Sequence, residues 1–259
     1  MRQTTHALVT GASAGIGAAF ARELAARGHA LVLTARRAER LDELAGELRA
    51  KHGTDVQCIP CNLAEPSAPQ HLHDEIVRRG LTIDLLVNNA GYGVTGSFVS
   101  HPWRTHADFI QVMMTAPTEL CHRLLPGMRE LGCGRIINVA SLAGMLPAPA
   151  GHTLYAASKA YLIKFSQALA LENRHHGVHV CALCPGFTYS EFHDVTGTRE
   201  RMKRMPRWIW MDARTVVREG LTAVERGEAI HVCGRVNRGI KRLFKLLPDR
   251  LGQRLINRR

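Results

Sequence analysis

Long apolar runs are missing from this sequence of 259 residues, since none reaches the roughly 18 to 20 residues that a membrane-spanning helix needs. The N-terminal region also lacks the basic and apolar segments of a secretory signal. Seven cysteines, an odd number, fit a reducing compartment better than a disulfide framework. We therefore expect a soluble, cytoplasmic protein, with a peripheral position on a membrane as the alternative.

Acidic residues are scarce in the last quarter of the chain. Residues 199–259 contain 17 Lys or Arg and 6 Asp or Glu, a net charge of +11, whereas residues 1–198 contain 17 and 16, a net charge of +1. Segment 236–259 combines this positive charge with apolar residues at helical spacing. It is therefore expected to form a basic amphipathic tail, which Pro248 divides into two short helices.

Three interpretations of this tail remain open. The tail covers the substrate pocket or a subunit contact, it binds an anionic membrane surface, or it docks an acidic partner such as an acyl carrier protein. Nucleic-acid binding is not expected, because no recognition motif accompanies the charge.

Two C-x-x-C pairs, at Cys58 and Cys61 and at Cys181 and Cys184, have the spacing of zinc ligands. Both pairs lie in β-like runs, where residues three apart point to opposite faces of a sheet. The third and sixth strands are also expected to lie far apart, so the four sulfur atoms should not meet. We predict no metal site.

Apolar runs and helical patterns alternate along the chain. The apolar runs predict seven strands, near residues 6–10, 30–34, 55–60, 83–88, 134–140, 178–184 and 229–233. The helical patterns between them cover residues 15–27, 39–51, 70–78, 104–131 and 154–175. This alternation predicts an α/β fold over residues 1–259, a single domain with a doubly wound, seven-stranded parallel sheet and helices on both faces. Its ligand should bind at the carboxyl ends of the strands.

A glycine-rich turn follows the first strand. Gly11, Gly15 and Gly17, in the run G-A-S-A-G-I-G, allow a tight turn, close approach of the backbone to a pyrophosphate, and close packing of the next helix. The N-terminus of that helix offers free N–H groups and the positive end of its dipole to phosphates. The turn predicts a dinucleotide site.

The second strand ends in L-V-L-T-A-R-R, at the position where an acidic residue would bind the adenosine ribose 2′-hydroxyl. Arg36 and Arg37 stand there instead, and a guanidinium can hold a 2′-phosphate through paired hydrogen bonds. The sequence therefore favours NADP(H) over NAD(H), and a solvated turn is the alternative interpretation.

Tyr155 and Lys159 stand four residues apart, so a helix places them one turn apart on the same face. The ammonium of Lys159 is then expected to lower the pKa of the Tyr155 phenol. Ser141 ends the apolar run R-I-I-N-V-A-S and offers a hydroxyl that can hold a substrate oxygen. The three residues predict a carbonyl-reducing site in which Tyr155 transfers the proton. Taken alone, the Tyr–Lys pair would indicate a surface pair.

These motifs resemble, in type and order, those of the short-chain dehydrogenase/reductase family. They are Thr10 to Gly17, Asn88-Asn89-Ala90-Gly91, Ser141, Tyr155 with Lys159, and Pro185-Gly186. The resemblance covers residues 4 to 235 and implies a Rossmann-type domain that binds a nicotinamide dinucleotide and assembles as a homodimer or homotetramer.

The resemblance also implies contacts with the cofactor outside the glycine turn. Residues 89–91 would line its adenosine side and support the sheet, and Lys159 would hold the nicotinamide ribose. Thr188 and Ser190 would contact the carboxamide or the phosphates. With the residues already named, the expected cofactor-binding set is Gly11, Ser13, Gly15, Ile16, Gly17, Arg36, Arg37, Asn62, Leu63, Asn89, Ala90, Gly91, Tyr155, Lys159, Pro185, Gly186, Thr188 and Ser190.

Two positions depart from the family pattern. Asn62 stands where the family commonly has an aspartate near the adenine. Met113 replaces the asparagine of a proposed proton relay, in which a water is held near Lys159, and methionine cannot hydrogen-bond in the same way. Either a backbone carbonyl alone holds the water, or turnover is slow, or the relay runs differently.

Residues 187–212 form the expected substrate lid beside the cofactor-binding and catalytic core of residues 4–186. Its flexible and aromatic apolar side chains suit a hydrophobic ligand, or else fill the core beneath a loop: Met202, Met205, Trp208, Ile209, Trp210 and Met211. We therefore predict an NADPH-dependent carbonyl reductase, or alcohol dehydrogenase, that acts on a hydrophobic ketone or aldehyde such as a 3-oxoacyl or lipid-like compound. The alternative is a dinucleotide-binding regulatory or membrane-peripheral protein with weak catalysis.

Overall fold

Seven parallel strands form one sheet in the computed structural model, which describes residues 4–189 and 206–256. The strands stand in the order β3-β2-β1-β4-β5-β6-β7, and each neighbouring pair is parallel. Their bounds are β1 (Thr5–Thr10), β2 (Ala30–Thr34), β3 (Val56–Cys58), β4 (Thr82–Asn88), β5 (Gly134–Val139), β6 (Val178–Cys184) and β7 (Ile230–Val232). The predicted doubly wound sheet is confirmed.

Helices cover both faces of this sheet. They are α1 (Gly15–Ala26), α2 (Ala38–His52), α3 (Ala68–Arg78), α4 (Trp103–Ile110), α5 (Ala116–Glu130), α6 (Thr153–Asn173), α7 (Ala213–Glu225), α8 (Arg235–Leu246) and α9 (Asp249–Ile256). Residues of α1, α2 and α7 share one buried apolar cluster, and those of α3, α5 and α6 share another. The sheet is therefore buried on both sides, which explains why its strands read as apolar runs.

The long helix expected over residues 104–131 is divided in the structure. A π-helical turn, Gln111–Thr115, separates α4 from α5. Pro117 lies in the first turn of α5 and has no N–H, so it cannot donate the regular helical bond to the carbonyl of Met113. A uniform α-helical ladder is therefore impossible at this point.

Two other elements differ from the sequence-based expectation, and the tail agrees with it. β3 ends at Cys58, two residues before the predicted end, although the N–H groups of Ile59 and Cys61 still donate to the carbonyls of Leu33 and Ala35 at 3.0 Å. Helix α7 was not expected, although Asp212 gives a recognisable start by accepting hydrogen bonds from the backbone N–H groups of Arg214 and Thr215. The tail does form two helices, α8 and α9, on either side of Pro248.

The strand order also separates the two C-x-x-C pairs. Cys58 lies on β3 and Cys181 on β6, with β2, β1, β4 and β5 between them. Cys181 belongs to the apolar cluster on one face of the sheet, whereas Cys184 belongs to a cluster on the other. The four sulfur atoms therefore cannot surround one ion. No helix within the described ranges is both long and apolar enough to cross a bilayer.

Candidate active site

The glycine turn after β1 brings backbone against backbone. Gly11 has a φ of 65°, in the left-handed region, and a Cβ at Gly17 would lie 2.3 Å from the carbonyl oxygen of Gly11. Helix α1 begins at Gly15 with no acidic residue in its first turn and no side-chain cap. Its first N–H groups are therefore available to an anion, and the predicted phosphate cradle fits these residues.

Thr10 joins this turn to the end of β4. Its hydroxyl oxygen accepts hydrogen bonds from the N–H groups of Asn89, at 2.9 Å, and Ala90, at 3.0 Å. The side-chain amide of Asn89 donates to the carbonyl of Thr10 at 2.9 Å and to that of Gly11 at 3.3 Å. Asn89 thus supports the sheet, as expected, and fixes the glycine turn.

A buried polar chain, which the sequence analysis missed, runs behind the site. The Asn88 amide donates to the side-chain oxygen of Asn138 at 2.9 Å, and the Asn138 amide donates to the hydroxyl of Ser166 at 2.9 Å. These bonds link β4, β5 and α6 beneath the catalytic residues. Two asparagines at the ends of apolar strands were the available signal, because buried amides require partners.

Ser141, Tyr155 and Lys159 meet at the carboxyl end of β5. The side chains of Ser141 and Tyr155 are hydrogen-bonded to each other. The ammonium of Lys159 lies 5.7 Å from the centre of the Tyr155 ring and donates to the carbonyl of Val139 at 2.8 Å. The side-chain oxygen of Ser141 also accepts a hydrogen bond from the N–H of Ala143, at 3.1 Å. The structure therefore brings the three predicted catalytic residues together.

Burial shifts both titratable members of this group. Desolvation lowers the pKa of Lys159 to about 8, with an opposing influence from Cys184. Burial raises the pKa of Tyr155, although its hydrogen bond with Ser141 acts in the other direction. The net fall in the Tyr155 pKa that was expected beside Lys159 is therefore not found in the protein alone, because loss of hydration on burial is the largest influence on this phenol.

Gly144 is a second residue that the sequence analysis missed. It lies in the 3₁₀ turn Leu142–Met145 that follows Ser141. A Cβ at Gly144 would lie 2.6 Å from the backbone N of Ala160 and 2.6 Å from the carbonyl carbon of Lys159. Glycine therefore lets the segment of Ser141 approach the helix that carries Tyr155 and Lys159.

Met113 lies in the π-helical turn, where its side chain is buried. A Cβ at Gly91 would lie 2.9 Å from its sulfur atom, so Met113 packs directly against the end of the motif that follows β4. Since Pro117 cannot donate to the carbonyl of Met113, the backbone at this position keeps an acceptor outside the regular helical pattern. The side chain fills space and cannot bind a water as an asparagine amide does.

Arg36 and Arg37 are exposed at the end of β2. A guanidinium nitrogen of Arg37 donates to the hydroxyl of Ser13 in the glycine turn at 3.2 Å, so this side chain reaches the expected cofactor site. Asn62 is exposed and accepts a hydrogen bond from the N–H of Ala64 at 3.3 Å. Leu63 and Ile16 instead contribute to apolar clusters, which leaves mainly their backbones for a ligand.

Pro185 and Gly186 follow β6 and connect the site to the C-terminal region. The carbonyl of Pro185 accepts from the N–H of Leu142, at 2.9 Å, and a Cβ at Gly186 would lie 2.5 Å from the side-chain amide of Asn237 in α8. Thr188 is buried, and its hydroxyl donates to the carbonyl of Gly186 at 3.2 Å. Ser190 lies outside the described residues.

The two ends of the expected lid pair with each other. Thr188 and Met211 form a parallel bridge, in which the N–H of Met211 donates to the carbonyl of Phe187 at 2.8 Å. The ring of Trp210 stacks on that of Tyr189 at 4.8 Å and lies 5.7 Å from that of Phe187. An aromatic cluster thus stands directly after β6, whereas Met202 and Met205 lie outside the described residues.

One group of metal-binding residue types lies away from this site. Ligand atoms of Glu219, His231 and Cys233 lie within 4.8 Å of one another. The Glu219 carboxylate, however, lies 2.9 Å from a ring nitrogen of His231 and accepts from the N–H of Gly234 at 3.1 Å and from Arg238 at 3.5 Å. We interpret this group as an ion-pair cluster that fixes the start of α8.

A parallel sheet with a glycine turn at the end of β1 and a Ser–Tyr–Lys group at the end of β5 defines an NAD(P)-dependent oxidoreductase. The chain belongs to the short-chain dehydrogenase family, whose model matches residues 5–201. The family expected from the motifs, and its oxidoreductase class, are thereby confirmed.

The chain is similar in sequence and in structure to several oxidoreductases. The chain is 35% identical over 196 residues to a very-long-chain 3-oxoacyl-CoA reductase of Anas platyrhynchos, covering 73% of this chain and 62% of that protein's length. A short-chain dehydrogenase from Sphingobium yanoikuyae in complex with NADPH has a TM-score of 0.82 and 30% identity, covering 94% of this chain and 96% of that one. A bulky-bulky ketone specific alcohol dehydrogenase from Comamonas testosteroni has a TM-score of 0.77 and 30% identity, covering 94% and 95%.

Proposed function

We propose that this protein is an NADPH-dependent reductase of a hydrophobic ketone or aldehyde, such as a 3-oxoacyl or lipid-like compound. The observation that carries the proposal is the arrangement of Ser141, Tyr155 and Lys159 at the carboxyl end of β5. It is supported by the similarity to a very-long-chain 3-oxoacyl-CoA reductase and to an alcohol dehydrogenase specific for bulky ketones.

A bound dinucleotide supplies the hydride that the carbonyl carbon receives. The hydroxyl of Tyr155 donates a proton to the carbonyl oxygen, and the hydroxyl of Ser141 donates a hydrogen bond to the same oxygen. The ammonium of Lys159, 5.7 Å from the phenol ring, stabilises the phenolate that remains after the proton has left. The carbonyl of Met113 holds the water through which Tyr155 is reprotonated.

The cofactor is held along the carboxyl edge of the sheet. Gly11, Gly15 and Gly17 would admit the pyrophosphate, and Lys159 would hold the nicotinamide ribose. Backbone and side-chain atoms of further residues would complete the site, namely those of Ser13, Ile16, Asn62, Leu63, Asn89, Ala90, Gly91, Pro185, Gly186 and Thr188. The contact between Arg37 and Ser13 supports NADPH as the preferred form, because it places a guanidinium beside the turn.

The aromatic cluster of Phe187, Tyr189 and Trp210 supports a hydrophobic substrate. These rings follow β6 directly, and β6 pairs with β5, the strand that precedes Ser141. An apolar wall with few polar groups favours a substrate that binds through its hydrocarbon part. We expect kcat/KM to rise with the length of the apolar chain in a series of ketones, measured by the absorbance of NADPH.

Removal of the Tyr155 hydroxyl tests the mechanism. Tyr155→Phe should lower kcat/KM by roughly 100- to 10,000-fold, because general acid catalysis contributes about this much, while NADPH binding is retained. Tyr161→Phe is the matched control, since its hydroxyl lies on the same helix but is bonded to Thr118 at 2.8 Å. Turnover that survives in Tyr155→Phe would refute the role of this residue. NADPH binding without turnover of any carbonyl by the wild type would favour the regulatory alternative.

The choice of cofactor is tested separately at Arg36 and Arg37. The Arg36→Ala/Arg37→Ala variant should weaken NADPH binding by roughly 10- to 100-fold, since charge-assisted hydrogen bonds contribute about 1.5–3 kcal/mol. NADH binding should change little. Fluorescence titration with both dinucleotides measures the two dissociation constants, and Arg174→Ala/Arg226→Ala removes two exposed arginines elsewhere as the control. An equal loss for NADH and NADPH would contradict the assigned 2′-phosphate contact.

A further inference from the structure

The C-terminal helices have one face that is packed on the domain. In α8, the buried amide of Asn237 donates to the carbonyl of Cys233 at 2.8 Å, and Ile240 packs on the apolar cluster that contains Leu142. In α9, Gly252 is buried, and a Cβ there would lie 3.1 Å from Pro147. The inner face of the tail therefore packs on the segment that follows Ser141.

The outer face carries four basic–leucine pairs. Arg242 precedes Leu243, Lys245 precedes Leu246, Arg250 precedes Leu251 and Arg254 precedes Leu255, and all eight side chains are exposed. Leu246 is the most open of the leucines, with 84% of its surface exposed. Each helix thus shows two leucines one turn apart, at a spacing of three residues in α8 and four in α9.

Charge on this face lacks internal compensation. Residues 235–256 contain seven Lys or Arg and one Asp. Arg238 of α8 does form an ion pair, with Glu219 of α7 at 3.5 Å, but Arg238 does not belong to the four pairs. Within the described ranges, none of the basic residues in the four pairs forms a salt bridge. The outer face is therefore free to meet an anionic partner.

We propose that α8 and α9 dock on an anionic phospholipid surface. The four leucines enter the boundary between headgroups and acyl chains, and the four basic residues contact the phosphates. A purely acidic protein partner would be served by the charges alone, whereas a lipid interface uses leucines and charges in alternation. The regular alternation of basic residues and leucines therefore favours a lipid surface over an acidic protein. The docking is independent of the proposed reductase activity, because it is measured without substrate or cofactor.

Vesicle sedimentation of the full chain tests the proposal. The wild type should co-sediment with vesicles of phosphatidylcholine and phosphatidylglycerol, and it should not co-sediment with vesicles of phosphatidylcholine alone. Neutralising the four pairs with Arg242→Gln/Lys245→Gln/Arg250→Gln/Arg254→Gln should weaken partitioning at least about 10-fold, since each basic residue near a membrane contributes appreciably. The matched control is Lys51→Gln/Lys164→Gln/Arg174→Gln/Arg226→Gln, which removes the same charge elsewhere and should bind like the wild type.

The leucines are tested independently of charge. Leu243→Ser/Leu246→Ser should lose most vesicle binding, whereas Val77→Ser/Leu171→Ser, at two other exposed apolar positions, should retain it. Equal sedimentation of all variants, or none by the wild type, would overturn the proposal. A smaller solution mass of the leucine variant by light scattering would overturn it in favour of a contact between copies of this chain. Binding to an acidic carrier protein without vesicle binding would assign the surface to that partner instead.

Discussion

Lys159 combines a charge with a nearly complete loss of water. Its side chain is buried, its ammonium has the carbonyl of Val139 as a partner, and its pKa falls to about 8. An ammonium is costly to bury unless it is well paired, and a single carbonyl is weak compensation. The site therefore keeps its cation near the phenol at the expense of stability, which is a common property of functional residues.

This cost should vary with pH in a defined window. Between the folded pKa of about 8 and the ordinary value of 10.5, the unfolded chain holds the proton that the folded chain has released. The free energy of unfolding of the wild type should therefore rise with pH across this window, relative to Lys159→Met, by roughly 3 kcal/mol. Below about pH 8 the burial cost is fully present, and above about pH 10.5 it is absent.

Urea unfolding of both proteins at about pH 7.5 and about pH 10 measures the change. Lys164→Met, at an exposed position of the same helix, accounts for the effect of losing a solvated lysine. A constant difference between wild type and Lys159→Met across the two pH values would show that the buried ammonium is not destabilising.

For single residues, the sequence predicted which side chains lie together better than it predicted their burial and pKa values. Tyr155 and Lys159 could be found because a four-residue spacing becomes a shared face in any helix. The direction of the Tyr155 pKa could not, because it depends on how much water the finished fold removes. The bond between Asn138 and Ser166 was equally hidden, since its partners come from segments 28 residues apart.

Among the elements, the contact between the 3₁₀ turn Leu142–Met145 and α6 sets the spacing of the catalytic residues. This turn starts at Ser141, and α6 carries Tyr155 and Lys159. Gly144 meets the backbone of Ala160 and Lys159, which has no flexible end that can move aside. The two elements can therefore approach this closely only because residue 144 has no side chain.

Gly144→Ala should push these two elements apart. We expect a loss of roughly 1–3 kcal/mol in the free energy of unfolding, which is typical of overpacking. We also expect a fall in kcat of at least about 10-fold, because small displacements of reacting groups are costly. Gly46→Ala is the control, since a Cβ there meets no atom within 4 Å and alanine favours a helix. An unchanged kcat in Gly144→Ala would show that the turn does not position Ser141.

The sequence predicted the strands and the long α6 well, because sheet burial on both faces and helical periodicity leave regular traces. It predicted one helix where α4, a π-helical turn and α5 stand, because a proline near a helix start is compatible with two arrangements. The apolar spacing of residues 104–131 continues through the π-helical turn. It therefore gives no sign of the additional residue that a π-helical turn contains.

For the whole molecule, the location of the positive charge matters more than its total. The last 61 residues hold a net charge of +11 out of +12, and α8 and α9 carry part of it at exposed positions. Patches of one sign attract opposite charge more strongly than the same charge spread over the surface. The homodimer or homotetramer expected from the family resemblance stays a prediction. Such an assembly would contain one basic tail for each subunit.

Two variants of equal net charge separate location from total. The glutamine variant at 242, 245, 250 and 254 and the one at 51, 164, 174 and 226 both lower the net charge from +12 by four, to +8. The first should elute from a cation exchanger at a clearly lower salt concentration than the second, because the resin binds through the densest positive face. The elution conductivity of the two proteins at neutral pH measures the difference. Coincident elution would mean that the tail does not dominate the electrostatic field, and an anionic surface would then have no preferred side of the molecule to meet.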